Sequence, residues 1–277
     1  MIPQVEKNNV MIKGKGTAVL LLHSALSSKI QWFQLMESMR SDYRMIAVDM
    51  YGYGSAPFPG NTETFSLSDE VLYVESILKD ILPADEPFHL VGHSYGGAVG
   101  LRFCFQEQKR IRSLTLFEPV AFHLLPEGEE ALARVRQTIA IISAHIKKGD
   151  DAAAVEYFVD YWSAPGTFSI YPPIIQRTFF QGIKKLQLDV RALLEDPLSL
   201  EDYSKIQCPV CLIGGKDSPI EAHRICELLA ENLTDCRVKW VDENHMAPIF
   251  QPDKVNPTIE SFIRQLHEEG KSTDFSD

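Results

Sequence analysis

The chain has 277 residues, 45% hydrophobic and 23% charged, ordinary proportions for a globular protein with a sizeable core. Its formal net charge of −11, with no basic stripe of useful length, argues against nucleic acid or an anionic membrane as a partner. The Met1–Gly16 segment is polar, and the nearby apolar run Ala18–Leu22 is too short for a signal sequence or a membrane span.

In chain order, apolar strand-like runs alternate with helical patterns, which predicts a mostly parallel sheet covered on both faces. Val10–Ile12 fits a short antiparallel edge, and Ala18–Leu22 a buried strand ending in His23-Ser24-Ala25. Ile30–Met39 has a helical apolar side, Arg44–Val48 reads as a strand ending at Asp49, and Leu67–Leu82 as a clear helix. Phe88–Val91 climbs into Gly92-His93-Ser94-Tyr95-Gly96, a serine between glycines at G-x-S-x-G spacing, followed by a helix over Tyr95–Gln106. A strand at Ile111–Phe117 follows. From about Val120 to Lys205 only helical patterns occur, among them Leu132 to Ile146, Ala152–Trp162 and Ile174–Leu188. Alternation resumes with a strand at Pro209–Ile213, a helix at Ile220–Leu233, a strand at Arg237–Val241 and a helix at Val255–Leu266. The expected division is therefore a core of residues 1–119 and 206–277, with 120–205 inserted as a helical cap. Ligands of such sheets bind beyond the carboxyl ends of the strands, under that cap.

The five cysteines, without a secretion signal, are expected as reduced cytoplasmic thiols. Cys208-Pro209-Val210-Cys211 enters a strand, where residues three apart face opposite sides, so packed thiols are expected there and not a redox or metal pair.

A serine between glycines is forced into a strained turn, which exposes its hydroxyl beside the N-terminal amides of the next helix. A serine hydroxyl needs a histidine to take its proton and a carboxylate to orient that histidine. Two strand ends supply them. Leu212-Ile213-Gly214-Gly215-Lys216-Asp217 delivers an aspartate, and Trp240 to Met246 delivers His245.

At these motifs the chain resembles the α/β-hydrolase family over nearly its whole length. Gly92-His93-Ser94-Tyr95-Gly96-Gly97 looks like its nucleophile elbow, and Asp49-Met50-Tyr51-Gly52-Tyr53-Gly54-Ser55 like its D-x-x-G-x-G-x-S turn. The likeness implies an α/β-hydrolase fold and a catalytic triad with Ser94 as nucleophile, His245 as base and Asp217 as orienting acid. Glu118 is the rival acid, because some members of the family place it after the strand that follows the elbow helix. Asp217 is preferred for its Gly-Gly turn and its place before the histidine strand. The resemblance further implies that the Ala25 and Tyr95 amides hold the oxyanion, although His23-Ser24-Ala25 replaces the family's usual His-Gly-X.

Leu26, Trp32, Phe33, Tyr95 and Met246 are expected to line a largely apolar substrate pocket. Phe122, Phe158, Trp162, Phe168, Tyr171 and Phe179 are candidates to line it from the cap. No metal-ligand spacing or phosphate loop occurs, so no cofactor and no metal are expected. The expectation is a serine hydrolase for a small or medium carboxylic ester or thioester, its partner a small-molecule substrate. A carbon–carbon bond hydrolase using the same triad is the alternative, and a receptor on a hydrolase scaffold is the reading from another class. Oligomeric state leaves no mark in the sequence.

Overall fold

The structure is a computed structural model and describes residues 8–273; residues 1–7 and 274–277 of the expected core, and the side chain of His267, lie outside the described residues. Seven strands, β1 (Val10–Lys13), β2 (Thr17–Leu22), β3 (Tyr43–Val48), β4 (Phe88–His93), β5 (Ile111–Phe117), β6 (Val210–Gly215) and β7 (Cys236–Val241), form one sheet. Their order is β1-β3-β2-β4-β5-β6-β7. Only β1 runs antiparallel, pairing with β3 at the edge.

Near-continuous apolar strands are what a sheet buried on both faces requires. Along β2, Ala18, Leu20 and Leu22 enter one apolar layer, while Val19 and Leu21 enter the other. In β6 the same alternation sends Val210 and Leu212 one way and Cys211 and Ile213 the other. Cys208, just before the strand, packs on the first layer, so it faces away from Cys211. It meets a thiol from a distant helix instead: its Sγ lies 3.5 Å from that of Cys104.

The helices are α1 (Phe33–Met39), α2 (Leu67–Leu78), α3 (Tyr95–Gln106), α4 (Glu130–Lys147), α5 (Asp151–Trp162), α6 (Thr167–Ile170), α7 (Pro173–Gln181), α8 (Ile183–Glu195), α9 (Leu200–Tyr203), α10 (Ile220–Asn232), α11 (Ala247–Phe250) and α12 (Pro252–Thr273). None of the described helices is long and apolar enough to cross a membrane. α2 starts at a capping box in which Ser66 and Asp69 satisfy each other's backbone amides. The single helix expected over Ile174–Leu188 is two, α7 and α8, separated at Gly182. A Cβ there would stand 2.4 Å from the Tyr53 ring, so the break lets that tyrosine pass.

Between β5 and β6 the chain contributes α4 to α9 and no strand. One buried charge cluster ties this stretch to the sheet-packing helices. Lys185 on α8 has no exposed surface and donates to Asp189 one turn on, to Glu70 of α2 at 3.1 Å and to the Tyr95 hydroxyl at 3.3 Å. Tyr95 donates to Glu70 at 2.8 Å, and Tyr53 donates to Asp189. Burial opposes the Lys185 ammonium, yet the two carboxylates hold it above its ordinary range. Burial pushes Asp189 up to about 6 against the pull of the same lysine.

Removing the cation would leave two buried carboxylates facing each other. Lys185→Met is therefore expected to destabilise the fold by about 3–5 kcal/mol, measured as a lower denaturation midpoint. An unchanged midpoint would mean that the cluster relaxes into water.

Candidate active site

β4 ends in the sharp turn that its sequence requires. Ser94 sits at φ 54°, ψ −117°, outside the regions open to ordinary residues. Glycine on either side makes this possible. A Cβ at Gly92 would stand 2.3 Å from the Gly96 carbonyl oxygen, and one at Gly96 would stand 2.4 Å from that of His23. Side chains at these positions would drive the turn off β2 and out of shape. Tyr95 is the first residue of α3, so its amide has no acceptor within the helix.

The Ser94 hydroxyl points at a histidine. His245 follows β7, and its Nε2 lies 2.8 Å from Ser94 Oγ, with the serine 5% and the histidine 2% exposed. His245 Nδ1 lies 2.7 Å from Glu118 Oε2, and the second Glu118 oxygen accepts the Gly215 amide at 2.6 Å. A carboxylate at Nδ1 fixes the proton there and leaves Nε2 free to accept from serine.

The carboxylate is thus Glu118, and the expectation of Asp217 is corrected. Asp217 is exposed beyond β6, its amide bonded to the Glu243 carbonyl at 3.1 Å. Adjacency decides between them. β5 is the direct neighbour of β4, with His93 paired to Phe117, so Ser94 and Glu118 stand at the ends of touching strands. Glu118 takes φ 42°, a left-handed turn that sends its side chain into the site, and the Ser94 amide donates to the Phe117 carbonyl at 3.0 Å. The signal in the sequence was a glutamate directly after a buried strand, followed by Pro119.

A second chain of hydrogen bonds braces the site from beneath. The Ser24 amide donates to Gln31 Oε1 at 3.1 Å, and Gln31 Nε2 reaches His93 Nδ1 at 3.0 Å. His93 Nε2 then donates to the His245 carbonyl at 2.9 Å. Because a carbonyl only accepts, His93 carries its proton on Nε2 and accepts from Gln31 on Nδ1. Burial, and then His245, keep its pKa well below the usual histidine value. Gln31 had no signal beyond its place in a short helical turn. Ser24 also turns its hydroxyl to Gln31 at 3.2 Å and to the Ala25 carbonyl at 3.3 Å, so it is engaged within its own loop.

His23 is locked in the opposite tautomer. Its Nε2 accepts the Met50 amide at 3.1 Å, and its Nδ1 donates to the Ser24 carbonyl at 2.7 Å.

A cavity opens beside Ser94, with Ala25 and Tyr95 in its wall. Phe122, Phe158 and Trp162, from the stretch between β5 and β6, line it, and the Trp162 ring lies 4.2 Å from that of His245. Seven other expected residues are elsewhere. Trp32 is buried in the apolar layer on the far face of the sheet with Val19, because the apolar side it shares with Leu35, Met36 and Met39 packs there. Leu26 and Met246 are buried in the near layer without reaching the cavity wall. Phe33 is 44% exposed under the Lys13 ammonium. Phe168, Tyr171 and Phe179 pack on one another and on Phe250, so they join α6 and α7 to α11. Residues missed in the sequence include Thr138, Tyr161, Asp189 and Glu221, all in the cavity wall. Among the described residues, no group of three or more His, Cys, Asp or Glu is arranged to hold a metal ion.

The fold coincides with that of a known family. The profile of the alpha/beta hydrolase family matches residues 19–258, and the chain belongs to that family. Monoacylglycerol lipase abhd6-B of Xenopus laevis is 25% identical over 271 residues, covering 91% of this chain and 77% of that protein. Probable lysophospholipase BODYGUARD 1 of Arabidopsis thaliana is 31% identical over 128 residues, covering 44% of this chain but only 26% of its own length. Among solved structures, an alpha/beta hydrolase named MGS-M2 from a Medee basin deep-sea metagenome library superposes with a TM-score of 0.78 at 14% identity, covering 92% of this chain and 93% of its own. The esterase EaEST from Exiguobacterium antarcticum superposes with a TM-score of 0.74 at 19% identity, covering 92% and 94%. At such identities the superpositions speak for the fold alone.

The buried His23 gives a pH prediction. Burial lowers its pKa from 6.5 to about 4, with Asp49 opposing. The neutral form is thus favoured by folding, and stability is lost as pH falls from about 6.5 towards 4. This one group is expected to contribute a loss of ~3 kcal/mol over that window. His23→Gln keeps an acceptor for the Met50 amide and has no proton to gain, so denaturation series at pH 7 and pH 5 should differ less for it than for wild type.

Proposed function

We propose that the protein is a serine hydrolase that cleaves carboxylic esters with a largely apolar acyl group. The observation that carries this reading is the buried line from Ser94 Oγ through His245 to Glu118, opening on an apolar cavity. The lipase and lysophospholipase names of the relatives support ester chemistry. In this reading the helical stretch 120–205 acts as a cap that walls the cavity and excludes water.

His245 Nε2 accepts the Ser94 proton as Oγ bonds to the ester carbonyl carbon, and the carbonyl electron pair moves onto oxygen. The Ala25 and Tyr95 amides stabilise that oxyanion, and the Glu118 carboxylate stabilises the imidazolium. The intermediate collapses, the C–O bond to the alcohol breaks, and the imidazolium proton goes to the leaving oxygen. Water attacks the acyl-serine by the same route, with His245 again as base, and the carboxylic acid departs.

Fluorophosphonate labelling and hydrolysis of p-nitrophenyl hexanoate test this assignment. Wild type should be labelled and active, and Ser94→Ala should lose both. Glu118→Gln is expected to lower kcat by about 10⁴, as loss of an orienting carboxylate does elsewhere, whereas Asp217→Asn should remain near wild type. The reverse order for the two acids would overturn the triad, and absence of labelling would overturn the hydrolase reading.

A further inference from the structure

The five cysteines are free thiols, and one of them differs from the rest. Burial pushes Cys226 well up, Cys211 up to about 12 and Cys236 up to about 11. Cys104 is raised as well, first by its hydrogen bond to Cys208 and then by burial. Cys208 alone is held below the ordinary thiol value, because the Cys104 S–H donates to its sulfur. The two sulfurs lie 3.5 Å apart.

Accessibility divides the pair in the same way. Cys208 is half-buried in the irregular chain between α9 and β6, whereas Cys104 is buried on α3. The thiolate is the form that oxidants attack, so the half-buried sulfur of lower pKa is the one that reacts first. A disulfide needs about 2.05 Å between its sulfurs, which leaves ~1.5 Å to close. Cys208 belongs to no strand or helix, so a small adjustment of its bend breaks no ladder or helical hydrogen bond.

Position gives such a bond its consequence. Between the two cysteines run β5, Glu118 and all of α4 to α9. The bond would join the place where the inserted stretch returns to the sheet with the far end of α3. Tyr95 starts that helix and Cys104 stands nine residues on, about 14 Å along the axis, so the Ser94 turn is remote from it. The span closed is 104 positions of sequence, and the entropy removed from the unfolded chain grows with that span.

We propose that Cys104 and Cys208 form a redox modification site, at which a hydroperoxide drives a disulfide that clamps the α4–α9 stretch to the core. The Cys208 thiolate attacks a peroxide oxygen; the S–O bond forms, the O–O bond breaks, and the departing oxygen takes a proton from solvent. The Cys104 sulfur then attacks the sulfenic sulfur of Cys208 and gives up its proton. The S–S bond forms, the S–O bond breaks, and the oxygen leaves with that proton as water. The two thiols lose two electrons in all, and the hydroperoxide gains them.

The test treats wild type and Cys208→Ser with hydrogen peroxide. Wild type should lose two of its five thiols, and its digest should contain one peptide pair joined through Cys104 and Cys208. Dithiothreitol should restore both thiols. Oxidised wild type should have a higher urea midpoint than the reduced protein, with the unfolding constant lowered by about thirtyfold to a thousandfold. Cys208→Ser should keep its remaining thiols and its midpoint under the same treatment. The wild-type result decides even if that variant does not fold. Conversion of Cys208 to a sulfinic acid without the joined peptides overturns the proposal, as does an equal loss of thiols in Cys208→Ser. Joined peptides with an unchanged or lowered midpoint overturn the clamp.

Discussion

Three side-chain-bearing residues hold left-handed backbone at the carboxyl end of the sheet: Leu26, Ser94 and Glu118. They are the described non-glycine residues with positive φ, and each follows a different central strand. Such conformations cost of order 1–3 kcal/mol apiece and survive only where the surroundings over-determine them. Here they do. The Ser94 amide is tied to the Phe117 carbonyl and the Glu118 amide to that of Ile213, so the strands themselves pin the turns. The strain points a hydroxyl and a carboxylate into one crevice, and most of the site's geometry follows from it.

The polar groups beneath the site are arranged so that each has one role. His23 accepts with Nε2 and His93 donates with Nε2, and each ring is frozen in that state by backbone partners. Neither ring is placed to exchange a proton with substrate. Neutral, fixed histidines add hydrogen bonds without adding charge next to His245. The Lys185 cluster does the corresponding work on the other side. It anchors the Tyr95 side chain, and with it the start of α3, to a helix of the inserted stretch.

Most strands and helices were legible because burial on two faces leaves apolar runs and helices leave a 3.6-residue period. Ser94 and His245 were legible for a different reason: a glycine-flanked serine and a late histidine loop are local patterns. Glu118 was not separable from Asp217 in that way. Both follow strands, and the choice depends on which strand lies beside β4 and on one backbone angle, neither of which periodicity encodes. Trp32 was misplaced because the apolar side it shares with Leu35, Met36 and Met39 packs on the face of the sheet away from the site, which periodicity does not encode. Lys185, Asp189 and Glu221 read as ordinary charged positions on helices, since the partners that bury them come from residues far away in the sequence.

The close approach of Trp162 to His245 has an optical consequence. The chain holds three tryptophans. Trp32 is sealed in the far layer, and Trp240 stands at the sheet edge with the His223 ring 5.1 Å away. Of the three, Trp162, the last residue of α5, has its ring 4.2 Å from that of His245. A protonated imidazole in contact quenches indole emission more strongly than a neutral one. The fluorescence of this residue is therefore sensitive to the charge on His245, without any label being attached.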